Sequence, residues 1–136
     1  NKGSLAMSLL YVLCLSTGDG LFKQKTSETA EVGTSVLLQC EVVGFNINSH
    51  HMAWLRRDPG EVTFIWLSAF RTGETTYIAE GFKGRITPST SGSTSQLKID
   101  NLSKSDSATY FCAIWEADRD RDQKRYSEST EMLVTF

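Results

Sequence analysis

The sequence predicts an all-β chain folded as a two-sheet sandwich. Three observations carry that expectation. Short apolar/polar alternations recur along the chain, and no stretch shows a helical period of useful length. Turn residues separate these runs at intervals suited to hairpins, as in Asp58-Pro-Gly60, Arg71-Thr-Gly-Glu74 and the Ser/Thr/Gly-rich segment from Ser89 to Ser95. Two cysteines, Cys40 and Cys112, lie on two of the alternating runs, with Trp54 following the first and Tyr110 just preceding the second.

The elements follow in order. Glu31-Val-Gly-Thr34 turns into Ser35–Cys40, where Val36, Leu38 and Cys40 share one face. Met52–Arg57 is the next strand, with Trp54 inward and Leu55 and Arg57 outward. Thr63–Phe70 is rich in β-formers, and Arg71–Glu74 is its hairpin tip. Gly84–Thr87 and Gln96–Asp100 flank the Ser/Thr/Gly turn, with Leu97 and Ile99 inward and Leu102 plugging the corner. Ala108, Tyr110 and Cys112 then face in, Thr109 and Phe111 face out, and Glu131–Phe136 closes the chain. Counting the remaining edges, about nine strands are expected.

Composition excludes several function classes. The 136 residues suit one domain. A formal net charge of −2, from 14 Lys and Arg against 16 Asp and Glu mixed along the chain, is no footprint for nucleic acid or for an anionic membrane surface. The third cysteine, Cys14, sits in the apolar run Met7–Gly20, which has signal-peptide length and ends in small residues. Residues 1–20 are expected to be a leader and 21–136 the folded domain, the alternative being that the apolar run is a short buried strand. Export would place the chain in an oxidising compartment, at the cell surface or secreted. No other run approaches the roughly 18 to 20 apolar residues of a membrane span, so any anchor would lie outside this chain.

Catalytic signatures are missing. His50 and His51 adjoin one another in a loop without a third ligand at zinc spacing, and read as exposed loop histidines. The sequence has no Gly-x-Ser-x-Gly elbow and no phosphate-cradling Gly-rich loop, so no catalytic, metal or cofactor residues are assigned and no enzyme is expected. Asn101-Leu-Ser103 is an N-glycosylation sequon, equally legible as a turn.

Over roughly residues 24 to 115 the chain resembles the variable domains of antigen receptors, members of the immunoglobulin superfamily. Trp54 fourteen residues after Cys40 and the run Asp106-Ser-Ala-Thr-Tyr-Phe-Cys112 carry the likeness. Gly44-Phe-Asn-Ile47 and Phe82-Lys-Gly-Arg85 resemble antibody heavy chains, whereas Arg57-Asp-Pro-Gly60 and Asp106–Ala113 look more like T-cell receptor α or δ chains. The resemblance implies a V-type Greek-key sandwich, an inter-sheet Cys40–Cys112 disulfide packed by Trp54, a Tyr110 corner, and an Arg85–Asp106 ion pair closing the bottom. It implies antigen binding through three loops: 45–51, 68–76 and 113–125. Candidate contacts on them are Asn46, Asn48, His50, Phe70, Arg71, Glu74, Trp115, Glu116, Arg119, Arg121 and Arg125.

The third loop reads in two ways. Ile114–Arg125 carries four acids and four bases behind Trp115. That composition suits a solvated connector, since exposed pairs are each worth under about 1 kcal/mol. It equally suits an aromatic anchor flanked by directional arginines, the residue types enriched at hot spots. The resemblance further implies pairing with a second V-type chain through Leu55, Arg57, Ile65 and Phe111, and a protein or peptide-complex antigen. Two departures stand out. Tyr126-Ser-Glu-Ser-Thr130 occupies the place of the aromatic-Gly-x-Gly joining motif, and Arg57 replaces the Gln common at that strand position. The competing reading is a germline-fixed V-type innate receptor or a surrogate receptor chain.

Overall fold

The computed structural model describes the backbone of residues 21–44, 46–116 and 124–135, and side chains within 24–44, 46–114 and 130–135. The expected leader, residues 1–20, and Arg119 and Arg121 lie outside the described residues. Among the described residues there are ten strands: β1 Leu21–Gln24, β2 Ser27–Glu31, β3 Val36–Val43, β4 His51–Arg57, β5 Ile65–Phe70, β6 Tyr77–Ile78, β7 Ile86–Ser91, β8 Thr94–Ile99, β9 Ala108–Glu116 and β10 Lys124–Thr135. They form a four-stranded sheet ordered β1-β3-β8-β7 and a six-stranded sheet ordered β2-β10-β9-β4-β5-β6. Single 3-10 turns occur at Ile47–Ser49, Glu80–Phe82 and Lys104–Asp106.

Alternation explains the layers. Val36, Leu38, Cys40 and Val42 of β3, with Leu97 and Ile99 of β8 beside them in the same sheet, face Trp54 of β4 and Tyr110, Cys112 and Ile114 of β9 across the sandwich in one buried cluster. Cys40 and Cys112 are bonded across the sheets, with a Cα–Cα distance of 6.3 Å and 72 residues between them. On the loop-entropy model that closure restricts the unfolded chain by about 4 kcal/mol.

The chain's first edge, to which the sequence assigned no strand, is divided: β1 pairs with β3, then β2 crosses and runs parallel to β10. Two local expectations need correction. The turn expected from Ser89 to Ser95 shrinks to Gly92-Ser93, because Ser91 pairs with Thr94 and Thr90 with Ser95. Gly92, at φ +60°, supplies the left-handed first position of this two-residue hairpin. Ser95 is therefore a core strand residue, whose hydroxyl accepts the Trp54 indole N–H at 3.1 Å. Lastly, β10 begins at Lys124 and pairs with β9 without a register break from Lys124↔Glu116 to Met132↔Ala108. The segment that lacks the joining-motif glycines is an unbulged strand.

Candidate functional site

The two ends of the sandwich do different work. At one end Asp106, 1% exposed, is the hub of a charged cluster. Arg85 donates to both carboxylate oxygens, each at 2.9 Å, and Ser103 donates its backbone N–H at 2.9 Å in a capping box. Arg56 adds a third cationic contact at 3.3 Å. The Tyr110 hydroxyl donates to the Asp106 carbonyl at 2.7 Å, forming the corner. Burial pushes the Asp106 carboxyl up, but the hydrogen bonds from Arg85 and Ser103 and the two guanidinium charges outweigh it and hold it below the usual carboxylate range. Burial pushes the Tyr110 phenol up to about 12, against the opposing pull of Arg56.

Arg56 is a functional residue of this cluster to which the sequence alone assigns no role. It alternates in phase with Met52 and Trp54, is 9% exposed, and lies 2.9 Å from Asp58 as well as beside Asp106. The inward phase of β4 was the available signal. A cation on that face required an acid elsewhere in the fold, and Asp106 is fifty residues away in sequence.

The opposite end gathers the first two loops and the base of the third. Asn46 organises the first: its side-chain oxygen accepts the Asn48 N–H at 3.1 Å, and its carbonyl accepts the Ser49 hydroxyl at 2.9 Å and the His50 Nδ1–H at 2.8 Å. Ile47 turns into the core. The reading of His50 and His51 as exposed loop histidines is corrected. His50 is 8% exposed and fastens the loop, and His51 is partly covered and opens β4. Asn46 and Asn48 are exposed.

In the second loop Gly73 takes φ +86°, and the Glu74 N–H closes a turn on the Arg71 carbonyl at 3.0 Å. The loop is shorter than expected. Ser68 is fully buried in β5, and Phe70 ends that strand partly covered, opposite Met52. Arg71 and Glu74 remain at the surface, 3.8 Å apart.

His51 links all three loops. It follows the first, its Nε2 lies 3.3 Å from Glu74 of the second, and its register partner in β9 is Trp115 at the base of the third. Thr72 adds a hydrogen bond to Asn48 at 3.1 Å. Strands β9 and β10 extend to Glu116 and Lys124, so Trp115, Glu116 and Arg125 belong to a paired hairpin and only 117–123 connects its strands. The expected loop 113–125 is corrected accordingly.

The outward face of the six-stranded sheet also departs from expectation. Ile65 shares a face with Arg56 and packs against the core, so it is not on the outer face. Its neighbour Trp66, paired with Leu55 and 44% exposed, holds that place. A register shift between Trp54 and Leu55 defeats a count along β5 alone. Phe111 does point outward, yet is 2% exposed. Phe64 packs on it edge-to-face at 5.1 Å, and the Arg57 guanidinium lies over both rings, 5.4 Å from Phe111 and 5.9 Å from Phe64. Leu55 and Arg57 are partly covered. At the far corner Asn101 is exposed with φ +50°, a left-handed turn conformation that Asn tolerates. Among the described residues no group of three His, Cys, Asp or Glu is placed to hold a metal ion, and no helix is long and apolar enough to cross a membrane.

Comparison with known proteins agrees with this architecture. Residues 23–135 match the family described as Immunoglobulin V-set domain. The chain is 44% identical over 90 residues to the IgW heavy chain V region W26 of Heterodontus francisci, covering 66% of this chain and 75% of that protein. It is 34% identical over 87 residues to the Ig heavy chain V region XIG14 of Xenopus laevis, covering 62% of this chain and 64% of that protein. With its two sheets, its Cys40–Cys112 bond against Trp54 and this match along nearly the whole described domain, the chain belongs to the immunoglobulin V-set family and is a V-type domain of the antigen-receptor kind.

Proposed function

We propose that this domain binds antigen non-covalently through its three loops, as the heavy-chain-like member of a pair of V-type domains in an adaptive immune receptor. The observation that carries the reading is the convergence of the loops on His51, which sets Glu74 and the Trp115 position beside the end of the Asn46–His50 segment. A rigid two-sheet frame that brings three unrelated chain segments to one end is how a binding surface is built from variable loops. The exposed side chains of Asn46, Asn48 and Glu74 and the half-buried Arg71 offer adaptable polar contacts, and Trp115, Glu116, Arg119, Arg121 and Arg125 would supply the anchor and the charges of the third segment. The antigen is then a protein or peptide complex, with no catalytic step, cofactor or metal involved.

Residues 1–20 serve as an export leader in this reading, and Asn101 accepts a glycan on the corner remote from the loops. Sequencing transcripts from many lymphocytes of the source animal tests the proposal. Segments following Cys112-Ala113 should differ between clones. An invariant segment across clones would instead establish a germline-fixed innate or surrogate receptor chain.

A further inference from the structure

Arg57 lies at the margin of an apolar patch in an unusual electrostatic setting. Its guanidinium rests on Phe64 and Phe111, and its Nη2 is shielded from solvent without a hydrogen-bond acceptor among the described residues. Asp58 contacts Arg56. Glu131 shares the Thr109 register position but stands two strands away from Arg57, about 9 to 10 Å at ordinary strand spacing. Beside Arg57, Phe64 is 42% exposed, and Trp66, paired with Leu55, is 44% exposed, an apolar surface on the face of the six-stranded sheet.

We propose that this face selects a second V-type domain that presents an Asp or Glu carboxylate opposite Arg57. The inference rests on the pairing reading above and deepens it. Covering Trp66 and Phe64 would remove the remaining water from Arg57, and a donor already lacking an acceptor would then be a buried unpaired charge. An amide opposite it supplies one acceptor without charge, whereas a carboxylate accepts from the guanidinium fork and neutralises it. A second copy of this chain is the wrong occupant. Leu55, Arg57, Phe64, Trp66 and Phe111 of the same face would offer the guanidinium no carboxylate.

A displayed library of light-type variable domains, randomised only at the position facing Arg57 and selected on the oxidised domain, tests this directly. Binders should be enriched in Asp and Glu over Gln and Lys by about tenfold or more, more strongly at low salt. Arg57→Glu should reverse the enrichment towards Lys and Arg, and Arg57→Gln should erase it. Since Arg57 is partly covered at the surface, a thermal melt checks that each variant is folded. Binders recovered with no preference at that position would overturn the charge selection and leave pairing intact. No binders from the library, with the domain monomeric at high concentration, would overturn both.

Discussion

Replacing Asp106 by Ala tests whether the charged cluster at the loop-distal end supports the fold. The carboxylate is 1% exposed and receives two bonds from Arg85, one contact from Arg56 and the Ser103 N–H. Its loss strands Arg56, whose side chain is 11% exposed, with only Asp58 as counter-charge. Breaking a buried pair from one side costs about 3 to 5 kcal/mol. Arg85 is less affected, because its side chain is 30% exposed and can turn to water. Arg56 keeps Asp58, so the lower end of that range applies; adding about 1 kcal/mol for the lost cap, and counting nothing for Arg85, the expected loss is about 4 kcal/mol. For a domain of this size that lowers Tm by roughly 16 °C.

Thermal and urea melts followed by circular dichroism measure the loss, with Arg85→Ala as the comparison, expected to lose about half as much. The pH dependence has a definite sign. A carboxyl held below its unfolded-chain value contributes stability that is present above about pH 4 and disappears as pH falls through the folded value. Wild type and Asp106→Ala should therefore converge in strong acid. A loss under about 1 kcal/mol near neutrality, or equal losses for the two variants, would refute the picture of Asp106 as the hub that neutralises buried Arg56.

Three further outcomes are expected. Cys40→Ala should lower stability by about 4 kcal/mol or prevent folding in secreted material, since it removes both the 72-residue closure and the packing of Trp54 on the bond; Ellman titration of wild type finding both Cys40 and Cys112 as free thiols would contradict this. Tyr110, with its phenol raised to about 12, contributes stability that is complete below about pH 10 and is lost as pH rises through the folded value. Alkaline melts should show that fall, on the order of 2 to 3 kcal/mol, and Tyr110→Phe should flatten it. Expressed in a eukaryotic secretory host, the domain should lose about one glycan's mass on peptide-N-glycosidase treatment, and Asn101→Asp should abolish the shift while leaving Tm nearly unchanged, because Asn101 is exposed and Asp also tolerates its left-handed φ of +50°.

Much of this protein was legible in one dimension because period-two alternation maps directly onto the two faces of a strand. Val36, Leu38, Leu97, Ile99, Tyr110 and Cys112 are buried as their phase required, and the spacing of Cys40, Trp54 and Tyr110 led to the right sandwich. Arg85 and Asp106 also meet as the family resemblance implied. Tertiary structure alone decided the features in which a residue's partner lies on another strand. The shift after Trp54 put Ile65 in the core and Trp66 on the surface, a change of phase that β5 does not display by itself. Phe64 and Arg57 cover Phe111, although alternation correctly turned Phe111 outward. His50 is buried because the Asn46 carbonyl turns back to meet it, and Ser95 is core because Trp54 needs an acceptor. Alternation specifies direction from the sheet, whereas burial, pairing and charge compensation depend on which distant side chains arrive on that face.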